Sequence, residues 1–175
     1  AREFGCVFAL PETGKTAFLV SICTGPGGFC EQGAKVIYLG NEEDTGRTML
    51  RAMQAHAGLT REQIVANPQK ARQKFTDIED LFDMNEVMDW DLNKIEASND
   101  AKGRTRLSGF DMEGSKIGKM AELDLCIGIG KHEAGDVDDS EPDTSRYLTV
   151  SKNKLSGWHG TVICNIQPDI SRYVE

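Results

Sequence analysis

The chain contains no apolar run near the roughly 18 to 20 residues that cross a bilayer. Its start, Ala1-Arg2-Glu3-Phe4, has no signal-peptide pattern, so no membrane partner is expected. Paired cysteines are also lacking. Cys6, Cys23, Cys30, Cys126 and Cys164 form no C-x-x-C pair and mostly sit in apolar runs, which predicts buried free thiols in a reducing cytoplasm and gives zinc little support. His56, His132 and His159 share no ligand spacing, so core or surface roles are expected of them. Positive charge is in deficit, with 20 Lys and Arg against 28 Asp and Glu and a net charge of -8. That balance argues against broad adhesion to nucleic acid, while local basic loops remain able to bind it. An initiator methionine is missing and a strand begins at once, so the chain is expected to start inside a longer protein.

What is present suits one domain: 175 residues, 39% of them hydrophobic, supply a single core. The most informative stretch is Ala9-Leu10-Pro11-Glu12-Thr13-Gly14-Lys15-Thr16, between the apolar run Cys6-Val7-Phe8 and the helix-like Ala17-Phe18-Leu19-Val20-Ser21-Ile22. A strand, a tight turn and a helix start in that order make a phosphate cradle. Gly14 lets the backbone approach an anion, the helix-opening amides point at it, Lys15 adds a point charge, and the Thr16 hydroxyl suits a magnesium ion. Ala9 stands where the general pattern Gly-x-x-x-x-Gly-Lys-Thr has its first glycine. The expectation is a binder of ATP or another nucleoside triphosphate, with Pro11, Glu12, Thr13, Gly14, Lys15 and Thr16 around the phosphates and Mg2+ on Thr16.

Along the chain, a strand over 5–10 leads to a helix over 15–23, and Gly25-Pro26-Gly27-Gly28 reads as a loop. Lys35 to Leu39 forms a second short strand ending in the acidic cluster Asn41-Glu42-Glu43-Asp44. Asp44 or Thr45 caps a helix bearing Met49, Leu50, Met53 and Ala57, closed by Gly58, and Thr60 with Gln63 makes a capping box for the next. Alternating strands and helices predict a parallel sheet. From Asn67 to Arg106 the apolar spacing predicts amphipathic helices and no continuous apolar strand. Strands return at 123–129, 147–151 and 161–166, the last two joined as a hairpin through Ser156-Gly157. The stretch from His132 to Ser145, with Asp136, Asp138, Asp139, Glu141 and Asp143, reads as a solvated acidic loop in preference to a calcium site. Trp90 and Trp158 read as packing residues.

These segments fall in an order that resembles the C-terminal ATPase domain of DnaB-type hexameric replicative helicases, of the kind phages encode. The segment 9–16 looks like that family's Walker A loop. Val36 to Arg51 is similar to the segment bearing the catalytic glutamate; Gly114-Ser115-Lys116-Ile117 through Leu125 to a Gly-Ser-x-x-Ile stretch that follows a DNA-binding loop; Val150 to Gly157 to a Lys-Asn-Arg-x-x-Gly hairpin; and Ile166 to Tyr173 to the closing segment. The resemblance implies an α/β, RecA-like P-loop NTPase spanning 1–175, with a mostly parallel sheet flanked by helices and a C-terminal β-hairpin. It implies a DNA helicase motor, cytoplasmic in a bacterial host, that hydrolyses NTP at the interfaces of a homo-oligomer, a hexameric ring, and moves on single-stranded DNA.

The implied roles are Glu43, or Glu42, as the base that polarises the attacking water. Lys152 and Lys154 would reach the nucleotide of the next subunit, and Arg104, Arg106 and Lys116 would contact DNA. Lys154 replaces the family's arginine and lacks its planar fork. One departure is large. Such an ATPase needs an apolar strand ending in Asp to orient magnesium opposite Thr16, and no such run lies between Met53 and Leu123. Either an internal segment near 95–97 is absent from the chain, or the chain keeps the phosphate loop without the machinery for hydrolysis. The alternatives are a RecA-like recombinase or clock-type ATPase, and a nucleotide-binding module without catalysis.

Overall fold

The computed structural model describes residues 3–40, 44–86, 97–102, 104–112, 121–132 and 143–175. The elements run β1 (Gly5–Ala9), α1 (Lys15–Thr24), β2 (Val36–Gly40), α2 (Thr45–Ala57), α3 (Arg61–Ala66), α4 (Pro68–Phe75), β3 (Phe82–Glu86), β4 (Leu125–Gly130), β5 (Ser145–Asn153), β6 (Gly160–Gln167) and β7 (Arg172–Val174). Short 3-10 turns lie at Asn99–Ala101, Gly109–Asp111 and Pro168–Ile170. The chain divides into two compact units. One comprises residues 1–15 with 94–166 and 175, the other 16–93 with 167–174.

In the first unit β1 pairs in parallel with β4, β4 antiparallel with β5, and β5 antiparallel with β6. The sheet is therefore mixed, which corrects the expectation of a mostly parallel one. The cause is the connections. A parallel return needs a crossover segment able to pack on the sheet. The link from β4 to β5 offers only Ala134 and Val137 as apolar residues, and β5 turns into β6 through a short hairpin.

One face of this sheet is covered by the irregular segment 97–112, whose Ala97, Ala101, Leu107 and Met112 pack with Cys6, Phe8, Leu123 and Cys126 in one core. Two strand glycines permit the contact. A Cβ on Gly128 would stand 2.4 Å from the Leu107 carbonyl oxygen, and one on Gly130 would stand 2.1 Å from that of Thr105. Both lie far inside van der Waals contact, so the strand must present bare backbone there.

In the second unit β2 and β3 pair in parallel, with Val36 opposite Phe82 and Tyr38 opposite Met84. This corrects the expectation of helices throughout 67–106: α4 ends at Phe75 and the chain enters β3 at Phe82. Val36, Tyr38, Phe82 and Met84 join the core built on Val20, Ala52, Ala55, Phe75 and Ile78. Ile37 and Leu39 point the other way and are 63% and 45% exposed.

The helices of this unit follow local rules closely. The Asp44 carboxylate accepts the Arg47 amide at 2.9 Å, and Gly58, at φ 64, closes α2 by donating to Gln54. Thr60 and Gln63 exchange the reciprocal capping-box bonds, while Asn67 caps α4 with Pro68 in its first turn. His56 sits among the packed helix ends, its Nδ1 2.9 Å from the Thr24 carbonyl, its Nε2 3.1 Å from that of Lys74, and its ring edge-on to Phe75. Arg172 on β7 donates to the carbonyls of Ala55 and His56, placing a cation at the negative end of α2.

Candidate functional site

The site begins where β1 runs out. Cys6, Phe8 and Ala9 are buried, so the strand delivers the chain to a fixed point before it turns through Pro11, Glu12, Thr13 and Gly14 into α1. The turn is unusual in its backbone. Glu12 has φ 59 and Gly14 φ 98, flanking a Thr13 that is 1% exposed. A side chain at Gly14 would be strained at that angle, which explains the glycine. Glu12 holds a left-handed conformation that non-glycine residues adopt at a cost of order 1 to 3 kcal/mol, typical of turns that bind ligands. Turns of this kind gather main-chain amides around an anion. The first turn of α1 carries no acidic side chain to neutralise its positive end, and it opens with Lys15 and Thr16, both half-buried.

Arg146, at the start of β5, donates from Nε to the Thr13 carbonyl at 2.8 Å. Sequence reading missed this residue. The available signal was an arginine at the mouth of an otherwise apolar strand, Tyr147-Leu148-Thr149-Val150, and by itself that reads as a solvated strand end.

Lys152 and Lys154 do not converge on the loop. Lys152 lies opposite Cys126, itself level with Cys6, whereas the loop leaves the sheet beyond Ala9. Three residues of strand, roughly 10 Å, separate these levels. At that far end Lys152 donates to the Ala121 carbonyl at 3.2 Å, and Lys154 forms an ion pair with Asp124 at 3.3 Å. Asp124 also accepts the Phe4 amide at 2.9 Å, and this bond, with the Lys154 pair, holds its carboxyl below the usual range.

Arg104 forms an ion pair with Asp111, whose other oxygen accepts from the Ser108 amide and hydroxyl, so its guanidinium serves to pin the covering segment. Arg106 is exposed on the same segment. Glu42, Glu43 and Lys116 lie outside the described residues, as do Trp90 and the acidic residues from 136 to 141. Trp158 is 49% exposed at the hairpin end, with one edge of its ring against Gly160, so it packs only in part.

All five cysteines are buried and none is in a disulfide, as their apolar surroundings predicted. Burial pushes the Cys23 thiol up to about 11, with Cys30 nearby adding to the effect, and raises Cys126 and Cys164 as well, which leaves these thiols inert at neutral pH. Among the described residues no group of three His, Cys, Asp or Glu side chains stands ready for a metal, and no helix is long and apolar enough to cross a membrane.

This α/β frame with a mixed sheet has counterparts among solved structures. The ATPase domain of G40P matches with a TM-score of 0.72 at 12% identity, over 99% of this chain and 84% of that one. A DnaB-like replicative helicase, described with its interactions with primase, matches with a TM-score of 0.74 at 12% identity, over 98% of this chain and 58% of that one. No protein-family profile and no curated protein matches the sequence. At this level of identity the likeness is one of fold.

Proposed function

We propose that the chain is the motor domain of an ATP-dependent DNA helicase, binding a nucleoside triphosphate at Pro11 to Thr16 and acting on single-stranded DNA within a homo-oligomeric, hexameric ring. The observation that carries this reading is the left-handed turn at Glu12 and Gly14, set between a buried strand and an unneutralised helix start. Lys15 would neutralise charge on the β- and γ-phosphates, and Thr16 would hold Mg2+ together with phosphate oxygens, since magnesium at such sites takes few protein ligands. Bound there, the ion would screen the charge of the transferring phosphoryl group. Glu43 or Glu42 would polarise the attacking water.

Lys152 and Lys154 stand too far from their own loop to act on it. Their place at the other end of the sheet therefore favours action on a neighbouring subunit's nucleotide. Arg106, with Arg104 and Lys116, would track the DNA backbone. Lys15→Ala should abolish nucleotide binding and leave the unfolding transition unchanged, because the lysine is a point charge at a helix start. Binding that survives the substitution would sink the phosphate-loop assignment.

A nucleotide-binding module without hydrolysis is the second reading, favoured by two specific features. The sequence has no apolar run ending in Asp between Met53 and Leu123, and β1 stands at the edge of its sheet among the described strands. An internal segment absent near 95–97 accounts for both. ATP turnover with and without single-stranded DNA separates the two readings: binding without turnover selects the module, and DNA-stimulated turnover selects the motor. Intact mass of the natural protein tests the absent segment, which would add kilodaltons to 19.3 kDa.

A further inference from the structure

Among the residues of β5, Arg146 alone is buried, and it is charged: only 8% of it is exposed. Its Nε donates to the Thr13 carbonyl at 2.8 Å, and its Nη1 donates to the carbonyls of Ser145 at 2.8 Å and Asp143 at 3.1 Å. Among the described residues all of its partners are main-chain oxygens, and no carboxylate pairs with it. Taking a guanidinium out of water is costly, and a buried cation ordinarily has an anion beside it. Among the described residues this one has only the carbonyls of Thr13, Asp143 and Ser145.

The bond to Thr13 has a geometric consequence. No peptide bond in the described chain is cis, so the carbonyl of Thr13 and the amide of Gly14 point in opposite senses within one rigid plane. Fixing the carbonyl on Arg146 therefore fixes the orientation of the whole Thr13–Gly14 unit, at the point where the turn reaches φ 98. We propose that Arg146 is the positioning residue of this loop, locking the Thr13–Gly14 peptide from behind so that the Gly14 amide faces a nucleotide's polyphosphate. The proposal rests on the reading of Pro11 to Thr16 as a phosphate binder and adds to it a residue far away in sequence.

The test compares wild type, Arg146→Ala, Arg146→Lys and Lys15→Ala by calorimetric titration with ATP and with inorganic tripolyphosphate, alongside hydrogen exchange. Arg146→Ala should weaken both ligands about ten- to hundredfold, the worth of a hydrogen bond to a charged group. Arg146→Lys, which keeps charge but loses the fork, should fall between. Exchange should quicken in 10–16 and stay unchanged in 147–153. Low-millimolar guanidinium ion should restore part of the affinity of Arg146→Ala.

Wild-type affinity in Arg146→Ala, with Lys15→Ala inactive, would overturn the proposal and leave the phosphate loop standing. Failure of wild type itself to bind either ligand would remove the loop reading and this proposal together. Equal loosening of the loop and of β5 would reduce Arg146 to a clasp on the strand and also overturn it. Should the alanine variant not fold, Arg146→Lys decides: unchanged affinity and unchanged exchange in 10–16 count against the proposal.

Discussion

The two units of this chain reach order by different means. The second sets its helix ends by short-range instructions: Asp44, Gly58, Thr60 and Asn67 each start or stop a helix through partners within four residues. The first is held by contacts between residues far apart in sequence: Phe4 with Asp124, Gly109 with Ser151, and Thr13 with Arg146. Local instructions tolerate loss one at a time, whereas a sheet face covered by an irregular segment depends on close fit along its whole length. Single substitutions are therefore expected to be costlier in the first unit.

The sharpest test is Gly130→Ala. The new methyl would collide with the Thr105 main chain, which cannot swing aside as a side chain would, so a loss of about 3 kcal/mol is expected, at the upper end for overpacking. Urea unfolding measures it, and a neutral result would mean that the covering segment moves freely. His56→Ala comes next. It removes a half-buried ring from Phe75 and the hydrogen bond its N–H donates to the Thr24 or the Lys74 carbonyl, according to tautomer, for a loss of about 2 kcal/mol in the same assay.

Thr60→Ala removes half of a capping box on an exposed turn and should cost about 1 kcal/mol. A cost for Thr60→Ala that equals that of Gly130→Ala would erase the contrast between the units.

The smallest effect is expected of Asp124, which is close to solvent. Its carboxyl titrates below the ordinary range in the folded chain, so its contribution is complete above the unfolded aspartate value and is lost as pH falls through the depressed one. Asp124→Asn should therefore lower stability slightly at neutral pH and converge with wild type at the acid limit, flattening the profile between the two. A variant profile parallel to wild type down to the acid limit would show that the bonds to Phe4 and Lys154 carry no linkage.

What could be read from the sequence follows the same division. The caps of α2 and α3 were legible because a side-chain oxygen and the amide it accepts lie three residues apart. β3 was not. Phe82-Asp83-Met84-Asn85-Glu86 holds only two apolar residues, and Phe75, Ile78 and Phe82 are spaced as a helix would space them. The hairpin of β5 and β6 was legible from its turn, but the antiparallel pairing of β4 with β5 was not, because register between distant strands leaves no mark in either one. In the candidate site the strand, the turn and the helix start were legible in the sequence. Arg146 was not, since 133 residues separate it from the carbonyl it holds.

The buried thiols offer a way to watch the two units separately. Cys6, Cys126 and Cys164 belong to the first and Cys23 and Cys30 to the second, and all five are shielded in the folded chain. An alkylating reagent can reach them only through opening of the surrounding structure, so the order in which the five acquire label is a clock for local unfolding. Pulsed alkylation read by mass would thus time the loosening of the sheet that leads into the turn at Pro11 to Gly14 against that of the helical unit with β2 and β3, with no engineered probe in the chain.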